Sequence, residues 1–187
     1  GIDLVAAQID IVRNGVLPEK VVSRGHSIEA RLNAEDAYGG YIPQSGKLHM
    51  LRWPSHPGVR IDTGVMEGGE ISPFYDSMIA KVITWGVDRE QARARLVKAL
   101  ENSTILGVTT NQPFLVDVLR RPFFVAGKTY TTTIESENFN EPELPKFIEE
   151  LAEKQLMKKS RTTDSNCNDN SDRYSPWHML GDFRMNK

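Results

Sequence analysis

Arg60 and Asp62 stand two residues apart in PGVRIDTG, residues 57–64, with Gly58 and Gly64 on either side. In extended backbone that spacing puts a guanidinium and a carboxylate on one face, and Val59 and Ile61 on the other. Two chemistries are open to Arg60: an ion pair with Asp62 or a neighbouring strand's carboxylate, or a fixed positive charge for an anion lying close to glycine backbone. Spacing alone ranks the ion pair first, because exposed pairs are common and functional ones rare. IEARLNAED repeats the arrangement, with Glu29 and Arg31 two apart and Glu35 and Asp36 just beyond. The same weighing favours a structural pair over a catalytic cleft. YDSMIAK offers Tyr75, Asp76, Ser77 and Lys81. No histidine stands at a spacing that makes Ser77 a better nucleophile than another serine.

Other chemistries find less support. His26, His49, His56 and His178 show no HExxH spacing, and Cys167 is the single cysteine, so a zinc site is not expected. There is no GxGxxG or Walker pattern, and the glycines of AYGGY and MEGGE read as turns. The NST at Asn102 fits a glycosylation sequon but is short enough to occur by chance. A net charge of -2 without a basic stripe gives no reason to expect nucleic acid or an anionic membrane as partner. No apolar run approaches the roughly 18 to 20 residues that cross a bilayer. One cysteine permits no internal disulfide, which favours a reducing compartment.

The elements that must position these residues are legible as patterns. Val5, Ile9 and Val12 recur at helical intervals from Ile2 to Arg13, and Gly15 supplies a stop. HSIEARLN alternates as a half-buried strand, and KLHMLRWP and GVRIDTGV read as two more, separated by Pro54, Pro57 and Gly58. Short links between the three favour an antiparallel sheet. MIAKVITW is β-branched and apolar, as in a buried strand. DREQARARLVKALENS predicts a helix with Asp88 as N-cap, Gln91 returning the cap, and an apolar stripe of Ala92, Leu96, Ala99 and Leu100. TTNQPFLVDVLRRPFF predicts another, capped by Asn111 or Thr110, with Pro113 in its first turn and Pro122 closing it. KTYTTTIES reads as a short strand. Intermixed helices and antiparallel strands without a regular βαβ repeat give an α+β class, an antiparallel sheet with packed helices.

Composition changes beyond Asn140. Residues 1–140 read as one domain, 141–159 as a helical extension, 160–173 as a flexible, disordered polar linker, and 174–187 as the start of a truncated following domain. The chain opens directly on a helical pattern without methionine, which implies an origin in something longer.

In order and spacing, GIDLVAAQIDIVRNG, GHSIEARLNAED, GVRIDTG, YDSMIAKVITWG, DREQARARLVKAL and GVTTNQPFL together resemble the C-terminal subdomain of biotin carboxylase, over residues 1 to about 137. The resemblance implies the last third of an ATP-grasp ligase. In that family MgATP or MnATP and bicarbonate give carboxyphosphate, and CO2 passes to N1 of the biotin ureido ring. It implies that Arg60 is the catalytic and biotin-binding residue of this stretch, reaching beside bicarbonate and the ureido oxygen. It leaves IEARLNAED and YDSMIAK as signatures without a direct chemical part. The family's metal-binding and bicarbonate-handling block normally precedes the point where this sequence begins, so this chain alone is expected to be inactive, with no metal ligands of its own.

RYSPWHMLGDFRMN resembles the segment after the biotin carboxylase domain in α subunits of acyl-CoA carboxylases, of the methylcrotonoyl-CoA or propionyl-CoA type. RIDTGVMEGGEISPFYDSMIAKVITW resembles the methylcrotonoyl type, an enzyme of leucine catabolism. The implied partners are the remainder of the biotin carboxylase domain, a biotinyl carrier domain bearing the biotin, and a carboxyltransferase β subunit. The implied location is the cytoplasm of a bacterium or the mitochondrial matrix of a eukaryote. Two alternatives stay open: a pyruvate or acetyl-CoA carboxylase parent, and a non-catalytic structural or subunit-contact module.

Overall fold

The computed structural model describes residues 2–15, 21–143 and 147–148. In chain order come helix α1 (Leu4–Asn14), strands β1 (His26–Asn33), β2 (Glu35–Asp36), β3 (Ile42–Pro43), β4 (Gly46–Lys47), β5 (Met50–Arg52), β6 (Val59–Thr63), β7 (Glu70–Ile71) and β8 (Met78–Gly86). Then follow helix α2 (Arg89–Glu101), strand β9 (Thr104–Leu106), and helices α3 (Gln112–Arg120), α4 (Pro122–Val125) and α5 (Thr133–Ser136). The strand pairings are antiparallel, and the class is α+β as the patterns predict. The chain divides into two units, Gly1–Glu141 and Pro142–Lys187, and all these elements lie in the first. The segments expected as a linker at 160–173 and a further domain at 174–187, with Cys167 and His178, lie outside the described residues, as does nearly all of the extension at 141–159.

The main sheet has the order β1-β8-β6. Strand β8 is central because its sequence suits burial: Ile79, Ala80, Val82 and Thr84 are almost wholly inaccessible. Helix α2 lies against the sheet through Ala92, Leu96, Val97, Ala99 and Leu100. Thr84 is accommodated in this apolar layer by donating its hydroxyl to the Ala92 carbonyl at 2.8 Å, which ties strand to helix. Asp88 caps α2 by accepting from the Gln91 amide at 2.8 Å, while Gln91 Oε1 returns to the amide of Val87, one residue before the cap itself.

Two strand readings need correction. KLHMLRWP is not a strand of the main sheet. It splits into β4, paired with β7, and β5, paired with β9, because the chain changes partner at Leu48. The Leu48 amide bonds the Gly69 carbonyl, and the next amide, that of His49, bonds Leu106. KTYTTTIES contains no strand among the described residues; it ends in the short helix α5, where Thr133 Oγ1 accepts from the Tyr130 amide and the Ser136 hydroxyl donates to the Thr133 carbonyl. Hydroxyl-to-backbone bonds here outcompete the β propensity of threonine. Pro122 opens α4 as well as closing α3.

Asn111 precedes α3 without capping it through its side chain. That side chain is buried and works on β1: Oδ1 accepts from the Asn33 amide at 2.9 Å, and Nδ2 donates to the Arg31 carbonyl at 3.2 Å and to Glu35 Oε1 at 3.0 Å. Thr110 Oγ1, at 3.4 Å from the Gln112 amide, is the nearer approach to a cap. Helix α1 forms as its pattern predicts, with Asp3 accepting from Ala6 and Gly15 in the left-handed region, and Leu4, Val5, Ile9 and Val12 exposed. No described helix is long and apolar enough to cross a membrane.

Replacing Asn111 with alanine takes the partner from a part-buried strand amide and carbonyl, and is expected to cost about 1–3 kcal/mol of stability. Urea denaturation of the wild-type and variant chains checks this; an unchanged midpoint would show that the clamp is dispensable.

Candidate active-site wall

The face of the main sheet turned away from α2 carries the charged residues. The register sets Arg60 opposite Ile83 and Ile83 opposite Glu29; it sets Asp62 opposite Lys81 and Lys81 opposite Arg31. The period of two fixes this, since Val59 and Ile61 face the core with Val82 and Ala30. Three cations and two carboxylates therefore share one surface.

Arg60 and Asp62 meet there as a forked pair. Nε donates to Oδ1 at 2.8 Å and Nη2 to Oδ2 at 2.9 Å. Both side chains are exposed, Arg60 by 74%. The hydrogen bond from Arg60 holds the Asp62 carboxyl below its usual range, aided by the charges of Arg60 and Lys81. The same bond raises Arg60 above its usual value. Glu29 and Arg31 approach more loosely, 3.7 Å apart.

Gly58 lies in the turn just before β6 and has a specific reason to be glycine. Its φ is +78°, and an added Cβ would come within 2.6 Å of Arg95 Nη1 and 3.0 Å of the Trp85 carbonyl. Gly64 has open space around it. The glycine before Arg60 thus serves close packing of the turn onto β8 and α2, and the one after it leaves the end of β6 uncrowded.

The other candidates do structural work. Glu35 accepts from Asn111 and from Asn33 Nδ2, and Asp36 Oδ1 accepts from the amides of Tyr38 and Gly39 in a tight turn. Asp76 accepts from the Met78 amide, and the Ser77 carbonyl receives the Ala34 amide. Among the described residues no group of three or more His, Cys, Asp or Glu side chains is placed to hold a metal ion. Sequence reading names Lys81 only within YDSMIAK, without a partner. Only the β6–β8 register reveals that it faces Asp62.

Residues 29–136 match the family model described as the biotin carboxylase C-terminal domain. The chain belongs to the biotin carboxylase C-terminal domain family. Among curated relatives, the alpha chain of the mitochondrial methylcrotonoyl-CoA carboxylase of Dictyostelium discoideum is 37% identical over 192 residues, covering 98% of this chain and 27% of its own length. A pyruvate carboxylase subunit of Methanothermobacter thermautotrophicus is 42% identical over 134 residues, covering 70% of this chain and 27% of its own. This chain therefore spans about a quarter of the length of either. The crystal structure of the biotin carboxylase domain dimer of Hydrogenobacter thermophilus 2-oxoglutarate carboxylase, in complex with MgADP, ADP and bicarbonate, superposes with a TM-score of 0.66 at 35% identity. It covers 75% of this chain and 33% of that one. The matched region contains β1 from Glu29 onward, β6, β8 and α2, so the charged sheet face belongs to the biotin carboxylase C-terminal domain.

Because the folded value of Asp62 is depressed, whatever the pair adds to stability is present above the ordinary aspartate value, near pH 4, and is lost as pH falls through the folded value. Carboxyl NMR titration should place Asp62 below the usual range and move it upward in Arg60→Ala. An identical titration in both proteins would contradict the pairing.

Proposed function

We propose that this chain is the C-terminal part of the biotin carboxylase unit of an acyl-CoA carboxylase α subunit, and that Arg60 is its contribution to the chemistry. The observation that carries the reading is the placement of Arg60: on an edge strand of the family's own sheet, exposed, and held with its outer edge free of other groups among the described residues. Such a guanidinium keeps its charge at any working pH. It suits the ureido oxygen of biotin, which gains negative charge when N1 is deprotonated, and the bicarbonate beside it. Biotin then arrives as a substrate on a carrier domain. ATP and its metal are handled by the remainder of the carboxylase, and the acyl-CoA is chosen by a carboxyltransferase β subunit.

The methylcrotonoyl-CoA type is favoured over a pyruvate carboxylase parent by extent of match. The Dictyostelium relative aligns over 98% of the chain and so includes the tail, whereas the Methanothermobacter protein aligns over 70%. On this reading residues 1–140 complete the carboxylase domain and residues 141–187 lead into the next one, in the mitochondrial matrix or the bacterial cytoplasm.

In the intact carboxylase, Arg60→Ala is expected to lower the rate of biotin carboxylation by about 10²- to 10³-fold, the scale seen on losing one donor to a developing oxyanion. Arg60→Lys should recover little, because the planar fork is lost. Undiminished carboxylation by the alanine variant would remove the assignment. The chain on its own, given ATP, magnesium, bicarbonate and free biotin, is expected to release no phosphate above background; clear turnover would show that it needs nothing else.

A further inference from the structure

We infer that Asp62 is a positioning residue for Arg60, gripping the guanidinium by its side edge so that its end edge is presented to the reacting anion. The inference rests on the role proposed for Arg60 and extends it to a second residue. A guanidinium has five N–H donors in a plane. Asp62 occupies one on Nε and one on Nη2. The two on Nη1 and the second on Nη2 have no partner among the described residues; one of those on Nη1 and the one on Nη2 lie along the edge opposite the side chain's stem, and the other on Nη1 turns back toward Cδ. One arginine can therefore be ion-paired and still offer a second fork to an oxyanion. A carboxylate on the same strand face two residues away also removes the rotamer freedom that an exposed arginine otherwise has. Lys81 stands opposite Asp62 on β8, and its charge also favours the carboxylate form. The remaining charged groups on this face, Glu29 and Arg31, are engaged with each other.

The alternative is a carboxylate that merely neutralises Arg60 and must let go before an anion can bind. The two differ in sign: a positioning Asp62 is needed for rate, whereas a competing one suppresses it.

The test is a double-mutant cycle in the intact carboxylase, measuring kcat and KM for biotin and for ATP. Asp62→Ala and Asp62→Asn are expected to lower kcat for biotin carboxylation by roughly 10- to 10²-fold, the cost of a misplaced catalytic group, and to leave KM for ATP unchanged. Asp62→Glu should recover part of the loss, and Asp62→Ala should add nothing to Arg60→Ala. Because both side chains are exposed the variants are expected to fold, and unchanged thermal unfolding checks this. In the present chain, NMR of the Arg60 Nε–H should show faster solvent exchange in Asp62→Asn, a readout independent of activity. With Arg60→Ala impaired, full or increased activity of the Asp62 variants, or losses that add in the double variant, overturns the positioning role and leaves the reading of Arg60 standing. A fully active Arg60→Ala enzyme removes both.

Discussion

Strand β8 is hydrogen-bonded along both edges, to β1 on one side and β6 on the other, and one of its faces is sealed by α2. Its inward residues have no alternative place in water, and the partners they meet, Leu32, Leu96 and Leu100, are fully buried. Burying each such side chain contributes about 1.5–3 kcal/mol. An exposed ion pair contributes about 0–1 kcal/mol. The apolar layer therefore decides the register, and the charged face follows. A slip of β6 by one residue would send Arg60 and Asp62 into the core and Val59 and Ile61 to solvent. The position of the arginine is thus fixed by groups that never touch a ligand.

That ordering of magnitudes also settles how the Arg60–Asp62 pair is to be understood. It is too exposed to matter much for folding, yet its geometry is a two-point fork, the most directional arrangement open to these side chains. Loosely held surface pairs look like Glu29 and Arg31, with a single long contact. A tight fork on an edge strand orients a side chain more than it stabilises a protein. Pairing and anion recognition, which compete in a reading from spacing alone, are compatible once the donors are counted edge by edge.

Much of this was legible in the sequence where local pattern and burial agree. HSIEARLN, GVRIDTG and MIAKVITW alternate or run apolar as strands must, and Asp88 marks the start of α2. The same pattern put Arg60 and Asp62 on one face. Reading failed where partners distant in sequence decide. Nothing local in KLHMLRWP announces that Leu48 bonds the turn at Gly69 while His49 bonds Leu106. The threonines after Tyr130 carry strand propensity, but the hydroxyls of Thr133 and Ser136 close a helical turn. Asn111 looks like a cap and is instead a clamp on β1, because its side chain meets Asn33 and Arg31, some eighty positions earlier. What an exposed arginine binds is likewise not written in its spacing; six blocks in register resemble the family, and the anion proposed for Arg60 rests on that resemblance.

Everything proposed for the chemistry turns on where the free edge of Arg60 points when substrates are present. A structure of the intact carboxylase with biotin and bicarbonate bound measures it directly. The expected result is an Nη atom of Arg60 about 3 Å from the ureido oxygen of biotin, with Nε and Nη2 still on Asp62. An Arg60 side chain facing solvent, with the ureido oxygen satisfied by other groups, would contradict it.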